Sequence, residues 1–140
     1  MSRIFWDTNI FIYLLEGEGE QAARARDLRR AMLRRGDQLL TSALTLAEVS
    51  VKPLEQGAEA LSERYQQTIQ RTATVLPFEA GHARRFARIR QRRAVRPPDA
   101  IQLACAGAAG VDLFVTADER LQGKQFDGIQ FIVPLARVPL

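Results

Sequence analysis

The chain alternates between short apolar runs and longer stretches in which apolar residues recur every three or four positions. The short runs are typical of buried strands, and each is bounded by polar, glycine or proline residues. We predict five strands, over residues 3–7, 38–41, 74–78, 112–116 and 129–133.

The stretches between these runs predict helices, and capping and breaking residues mark their ends. Ser42 is a good N-cap, Gly36 ends a helix, and Pro53 is expected to stop one. We predict helices over residues 8–15 (capped by Asp7 or Thr8), 20–35, 43–52, 56–71, 79–93 and 98–110. Strands that alternate with helices predict a three-layer α/β fold with a mostly parallel sheet. No repeat or linker interrupts the pattern, so we expect a single domain over residues 1–140.

Composition narrows the class of protein. The longest apolar run, residues 10–15, is far too short to cross a membrane, and no signal peptide is evident, so we expect no membrane partner. The single Cys and single His leave no zinc site, and one cysteine suits a reducing cytoplasm, where we expect the protein to reside.

The net charge of +4 comes almost wholly from arginine, since Lys52 and Lys124 are the only lysines among 20 basic residues. Arginine binds phosphate bidentately and stacks on bases, which favours a nucleic-acid partner. The alternative is that a GC-rich genome enriches the chain in arginine and alanine.

Four acidic residues are expected at one edge of the sheet. Asp7 and Asp118 follow predicted strands, while Glu48 and Asp99 lie on helices that begin at the same edge. Each has a structural alternative as a helix cap, a dipole partner or a solvated side chain. Ligand crevices of parallel sheets lie at the carboxyl ends of the strands, so their convergence predicts a catalytic site.

Carboxylates crowded together repel one another unless cations neutralise them. Oxygen ligands without His or Cys suit magnesium or manganese, and a pair of such ions can promote attack of water on a phosphodiester. We therefore predict Asp7, Glu48, Asp99 and Asp118 as metal ligands and catalytic residues. Short polar residues beside them are expected to orient the carboxylates, namely Thr8, Asn9, Ser42 and Thr116.

The same residues carry a family resemblance. The blocks Phe5–Asn9, Thr41–Val49, Pro97–Ala104 and Val115–Asp118 resemble those of PIN-domain ribonucleases, and within them the VapC-type toxins of bacterial toxin–antitoxin pairs. The resemblance implies an α/β/α sandwich with a parallel sheet of about five strands and magnesium-dependent RNA cleavage. It places the acidic site at the four residues named above. It also implies a homodimer and a cognate antitoxin, with DNA bound only through that antitoxin.

Seven arginines and no acid lie between residues 84 and 96, just before Asp99. A solvated helix face is the ordinary explanation of such a run. Its position next to Asp99 favours contact with RNA phosphates, for which we expect Arg92, Arg93 and Arg96. The same surface could instead bind acidic groups of the antitoxin.

The sequence argues against two other classes of protein and leaves one alternative open. A haloacid-dehalogenase-type phosphatase would need a second Asp at position 9, which is Asn here. A response-regulator receiver would need a lysine at a strand end, and neither lysine is there. The remaining alternative is a PIN-like scaffold that binds RNA or a partner without cutting it.

Overall fold

The computed structural model describes residues 1–92 and 94–140, so the expected RNA contact at Arg93 lies outside the described residues. In this part of the chain, five strands form one parallel sheet in the order β3-β2-β1-β4-β5. The strands are β1 (Arg3–Trp6), β2 (Gln38–Ser42), β3 (Thr74–Leu76), β4 (Val111–Thr116) and β5 (Ile129–Pro134). The predicted parallel sheet is confirmed.

The central strand β1 is paired on both sides. Phe5 lies opposite Leu40 of β2 and opposite Phe114 of β4, and the rings of Phe5 and Phe114 stack with their centroids 5.0 Å apart. Strands covered on both faces have no solvent side, which explains why β1 reads as a continuous apolar run and shows no alternation. Asp7, the residue that follows β1, therefore lies between the ends of β2 and β4.

Helices cover both faces of the sheet, as predicted for a three-layer fold. They are α1 (Thr8–Glu16), α2 (Gly19–Arg35), α3 (Ala43–Glu55), α4 (Glu59–Thr72), α5 (Ala83–Arg90) and α6 (Pro97–Ala109). One core packs residues of α5 and α6 against the sheet, and the other packs residues of α1, α2, α3 and α4 against the opposite face. None of the described helices is long and apolar enough to cross a membrane.

Several predicted helix bounds are wrong. The helix expected over 56–71 begins at Glu59, and the one expected over 79–93 ends at Arg90. The helix expected over 79–93 begins later, because Ala80–His82 form a 3₁₀ turn in which the Glu79 backbone N–H donates to His82 Nδ1 at 2.9 Å. The helix expected to stop at Pro53 continues to Glu55. Proline removes only one N–H from a helix, and the next residues recover the pattern, since the Gln56 N–H donates to the Lys52 carbonyl.

A close approach of two glycines fixes the end of α6. Gly128, in the turn before β5, has φ +83, and a Cβ there would collide with the backbone of Gly107 in α6. Only glycine combines this backbone conformation with that proximity. The contact packs the end of α6 against the start of β5, and the first turn of the same helix carries Asp99.

Candidate functional site

Asp7 lies at the carboxyl end of β1 and is the N-cap of α1. Its side chain is buried, and it accepts hydrogen bonds from the Thr8 backbone N–H and the Thr116 hydroxyl, both at 2.8 Å. Burial raises the pKa of Asp7 to about 6, although these two hydrogen bonds favour the ionised form and oppose the rise. The charges of Asp99 and Glu48 are smaller contributions to the same rise. Asp7 is thus a buried carboxylate whose ionised form is disfavoured by its surroundings.

Glu48 reaches the site from α3. Its carboxylate accepts a hydrogen bond from the Thr8 hydroxyl at 2.6 Å, and its own charge contributes to the raised pKa of Asp7. Thr8 therefore links the two acids, because its backbone N–H binds Asp7 and its hydroxyl binds Glu48. A mid-helix glutamate that is half-buried and bound in this way is not an ordinary solvated side chain.

Asp99 lies in the first turn of α6, behind Pro97 and Pro98. Proline suits the first helical positions, where the N–H has no helical partner, and an acid there complements the helix dipole. Burial and, after it, the neighbouring Asp118 raise the pKa of Asp99, while the Arg96 guanidinium opposes the rise from 3.5 Å. The raised pKa indicates that the charge of Asp99 is incompletely neutralised.

Asp118 follows β4 and is bound by Arg120. The guanidinium donates from Nε to Oδ1 at 3.0 Å and from a terminal nitrogen to Oδ2 at 2.9 Å, and this bidentate pair lowers the pKa of Asp118. Arg96 approaches the same carboxylate at 3.7 Å and so bridges it to Asp99. The Asp118 backbone N–H also donates to the Thr116 hydroxyl at 3.0 Å.

The four acids thus share one edge of the sheet and influence one another in pairs: Asp7 with Glu48, Asp7 with Asp99, and Asp99 with Asp118. As they stand, no three His, Cys, Asp or Glu side chains of residues 1–92 and 94–140 are grouped closely enough to hold a metal ion. The donors are nevertheless hard oxygens only, and two of them carry raised pKa values that a bound cation would relieve. This donor set fits Mg²⁺ or Mn²⁺.

A buried amide, to which the sequence analysis assigned no role, connects the hydroxyl groups that lie next to the acids. Gln102 of α6 is fully buried, and its Nε2 lies 2.8 Å from the Thr45 hydroxyl, 3.1 Å from the Thr8 hydroxyl and 3.4 Å from Asp7 Oδ1. The amide has two protons, so the two nearer hydroxyls take them. Ser42 donates to the Gln102 carbonyl oxygen. A polar residue inside an otherwise apolar buried helix was the signal for it.

The predicted supporting residues have three different environments. Thr8 and Thr116 hydrogen bond directly to the acids. Ser42 caps α3 by accepting from the Leu44 N–H at 3.2 Å, and it contacts Gln102 in place of any carboxylate. The side chain of Asn9 is exposed and makes no hydrogen bond within the described part of the chain.

The predicted basic residues Arg92 and Arg96 lie in different environments. Arg96 is at the acids, whereas the Arg92 guanidinium lies 4.4 Å from the ring centroid of Phe126 and pairs with none of the described acids. Arg120, which the sequence analysis did not single out, makes the closest contact with a site acid. Its position two residues after Asp118, in a tight turn, was the available signal.

Comparisons with known proteins agree with the fold. No curated protein sequence matches the chain significantly. Solved structures with a similar fold include VapBC2 from Rickettsia felis bound to a DNA fragment from their promoter, DNA-bound VapBC from Salmonella typhimurium, and VapBC-5, a member of the VapBC family of toxin–antitoxin systems, from Mycobacterium tuberculosis. Their TM-scores are 0.75, 0.69 and 0.63 and their identities 12%, 22% and 23%. The similarity covers 94%, 96% and 96% of this chain and 98%, 99% and 99% of theirs.

The strands, helices and acids described above all lie within or next to one continuous family match. The PIN domain family model matches residues 4–126, which include Asp7, Glu48, Asp99 and Asp118. The resemblance predicted from the four sequence blocks is confirmed at this level. Since the match extends over most of its length, this chain belongs to the PIN domain family.

Proposed function

We propose that this protein is a metal-dependent endoribonuclease and the VapC-type toxin of a toxin–antitoxin pair. The observation that carries the proposal is the set of four carboxylates at one sheet edge, of which the most buried, Asp7, has a pKa raised to about 6. Membership of the PIN family supports it, because PIN domains are generally nucleases. The fold similarity to VapBC complexes supports the toxin assignment.

Asp7, Glu48, Asp99 and Asp118 are the residues that we propose hold Mg²⁺ or Mn²⁺. When bound, such an ion supplies positive charge that makes water a better nucleophile and stabilises the charge that develops on a phosphate. It would also lower the cost of keeping Asp7 and Asp99 ionised next to one another.

The remaining residues of the chain orient the acids and the substrate. Thr116 and Thr8 hold the Asp7 carboxylate from both sides, and the Thr8 hydroxyl holds Glu48. Arg96 and Arg120 are more than half exposed and lie against Asp99 and Asp118. Guanidinium groups at this position can transfer from a carboxylate to a phosphate oxygen, so we propose that they bind the RNA backbone at the scissile bond.

The test is cleavage of cellular RNA by the purified protein with Mg²⁺, with Mn²⁺ and with EDTA. We expect discrete fragments with either metal and none with EDTA, and loss of cleavage in Asp7→Asn and Asp99→Asn. Asp112→Asn is the matched control, since Asp112 is a partly buried acid of β4 that accepts from the Arg3 backbone N–H, away from the site.

Three results would argue against the proposal in different ways. Cleavage that persists in EDTA or in both site variants would exclude the carboxylate mechanism. Equal loss in Asp112→Asn would indicate that the site variants act through folding. RNA binding without cleavage would favour the catalytically silent scaffold.

The partner that we propose is an antitoxin protein, with the toxin itself a cytoplasmic homodimer and DNA bound only through the antitoxin. A groove of about 350 Å³ supports such a partner, because it lies beside Glu48 and combines apolar and charged lining, including Ile12, Leu15, Val49 and Tyr65. Co-expression with the protein encoded beside it, followed by mass measurement of the complex, tests both the partner and the dimer.

A further inference from the structure

A second basic surface lies on α5, apart from the carboxylates. We define the arginine groove as the cavity of about 770 Å³ between α5 and the segment of residues 125–130 that leads into β5. Four arginines line it, Arg84, Arg85, Arg88 and Arg92, and Asp127 is the only acid among the described residues of the lining. The excess of positive charge in a cavity of this size indicates an anionic ligand.

The four arginines have different roles. Arg85 donates to the Asp127 backbone carbonyl at 2.9 Å and so ties α5 to the turn before β5. Arg92 lies over the ring of Phe126. Arg84 and Arg88 are exposed and have no hydrogen bond or ion pair with any described residue. Two guanidinium groups are therefore available to a ligand, and a third is presented on an aromatic surface.

The lining favours a phosphate backbone over a protein segment. A protein partner needs apolar side chains that it can cover, but the apolar members of the groove, Ile89, Phe126 and Ile129, are already buried. What the groove exposes is guanidinium, which binds phosphate oxygens bidentately and stacks on bases.

The groove is also connected to the carboxylates along the chain. Arginines recur at every fourth residue, at positions 84, 88, 92 and 96, and the last of these contacts Asp99 and Asp118. Four residues of chain span at most about 14 Å, so the end of the groove lies within that distance of Arg96, measured between Cα atoms. A strand bound in the groove can therefore reach the acids within a few nucleotides.

We propose that the arginine groove binds the sugar–phosphate backbone of single-stranded RNA, a few nucleotides away from the bond at the carboxylates. This inference rests on the proposed function, since it assumes that RNA is the substrate. Contacts of this kind position a strand without reading its bases. The groove thus increases the affinity for RNA and orients the bound strand, and only RNA above a minimum length can reach both the groove and the carboxylates.

The test measures binding separately from cleavage. Fluorescein-labelled single-stranded RNA is titrated with the Asp99→Asn protein in EDTA, over a series of salt concentrations, and anisotropy is recorded. Adding Arg84→Gln and Arg88→Gln should weaken binding about tenfold at low salt and reduce the slope of log affinity against log salt by about 1.4, or about 0.7 for each phosphate contact. Lysine at both positions should restore most of the slope, because it keeps the charge.

The matched control is the pair Arg34→Gln and Arg71→Gln in the same background. Both residues are exposed arginines of α2 and α4, on the other face of the sheet, so the change in net charge is identical. We expect a clearly smaller effect on RNA affinity from this pair. Glutamine is a good helix former, so folding is preserved at all four positions.

The outcomes separate the groove from the function. Equal effects of the two pairs would overturn the groove and leave the nuclease intact, provided the metal-dependent cleavage is observed. Unchanged RNA affinity together with a weakened antitoxin complex would assign the groove to a protein partner and also overturn the inference. Absence of both RNA binding and cleavage in the unmodified protein would refute the proposed function itself.

Discussion

Replacing Asp7 by Asn removes a charge that the fold buries, while it keeps the size of the side chain and its capacity to cap α1. Asn and Asp are equally good N-caps, so the substitution isolates the cost of the charge. Asn resembles the protonated acid. The rise of the Asp7 pKa from 3.8 to about 6 measures how strongly the folded site favours that neutral form over the ionised one.

The magnitude follows from that rise. One pKa unit corresponds to 1.36 kcal/mol, so the ionised Asp7 lowers the free energy of unfolding by about 3 kcal/mol relative to Asn. Because the folded pKa is the higher one, the stability that protonated Asp7 contributes is complete below about pH 3.8 and is lost as pH rises through about 6. The metal-free variant should therefore match the unmodified protein near pH 4 and exceed its stability by about 3 kcal/mol near pH 8.

The assay is urea unfolding in EDTA across this pH range, with thermal unfolding as a second measure. A gain of about 3 kcal/mol corresponds to a rise in melting temperature of roughly 6–12 °C in a domain of this size. Adding Mg²⁺ should narrow the difference, since a ligand that binds the folded, ionised site stabilises only the protein that retains it.

Asp37→Asn is the control for this prediction. Asp37 is also a buried carboxylate, but it accepts from the Ser2 N–H at 2.7 Å and pairs with Arg35 at 2.9 Å, so its replacement should destabilise the protein near pH 8. A stability difference between Asp7→Asn and the unmodified protein that stays constant with pH would refute the reasoning. So would a loss of stability in Asp7→Asn near pH 8.

Three further predictions concern the supporting structure. Gln102→Leu should lower the free energy of unfolding in urea by about 2–3 kcal/mol, because buried hydroxyls lose their partner; no change would show that water replaces the amide. Arg120→Gln should raise the pKa of Asp118 toward its ordinary value, as measured by NMR titration, and an unshifted resonance would contradict the bidentate pair. Gly128→Ala should destabilise the protein by more than about 3 kcal/mol. Gly123→Ala, with a similar φ but open space around it, should cost only about 1 kcal/mol. Similar losses in the two variants would show that the Gly107 backbone moves to accommodate the added Cβ.

The sheet and the four acids were predictable because their signals are local. An apolar run that ends in Asp7 predicts both a strand and the edge where its last side chain lies, and parallel topology then brings the other strand ends to that edge. Pro98 before Asp99 likewise marks the start of α6 in the sequence itself. No tertiary information is needed for either inference.

The pairing among polar groups could not be predicted in the same way. Gln102 and Thr45 lie 57 residues apart in the chain, and their contact depends on the packing of α6 against α3. The split role of the arginines depends on the path of the chain after α5, which places Arg92 over Phe126 and Arg96 at the acids. The 3₁₀ turn before α5 depends on reciprocal hydrogen bonds between Glu79 and His82, in which the side chain of each residue accepts from the backbone N–H of the other.

The central position of β1 also orders events while the chain is being synthesised. Asp7 is synthesised before Thr116, which donates to it from β4 and lies 109 residues further on. Pairings this distant in sequence form late, because the entropy of closing a long loop opposes them. A nascent chain thus carries Asp7 and Glu48 without Asp99, Asp118 or the strand that completes the edge. If the protein is the nuclease that we propose, the ribosome and messenger RNA that produce it are not exposed to a complete site until β4 and Asp118 have been synthesised.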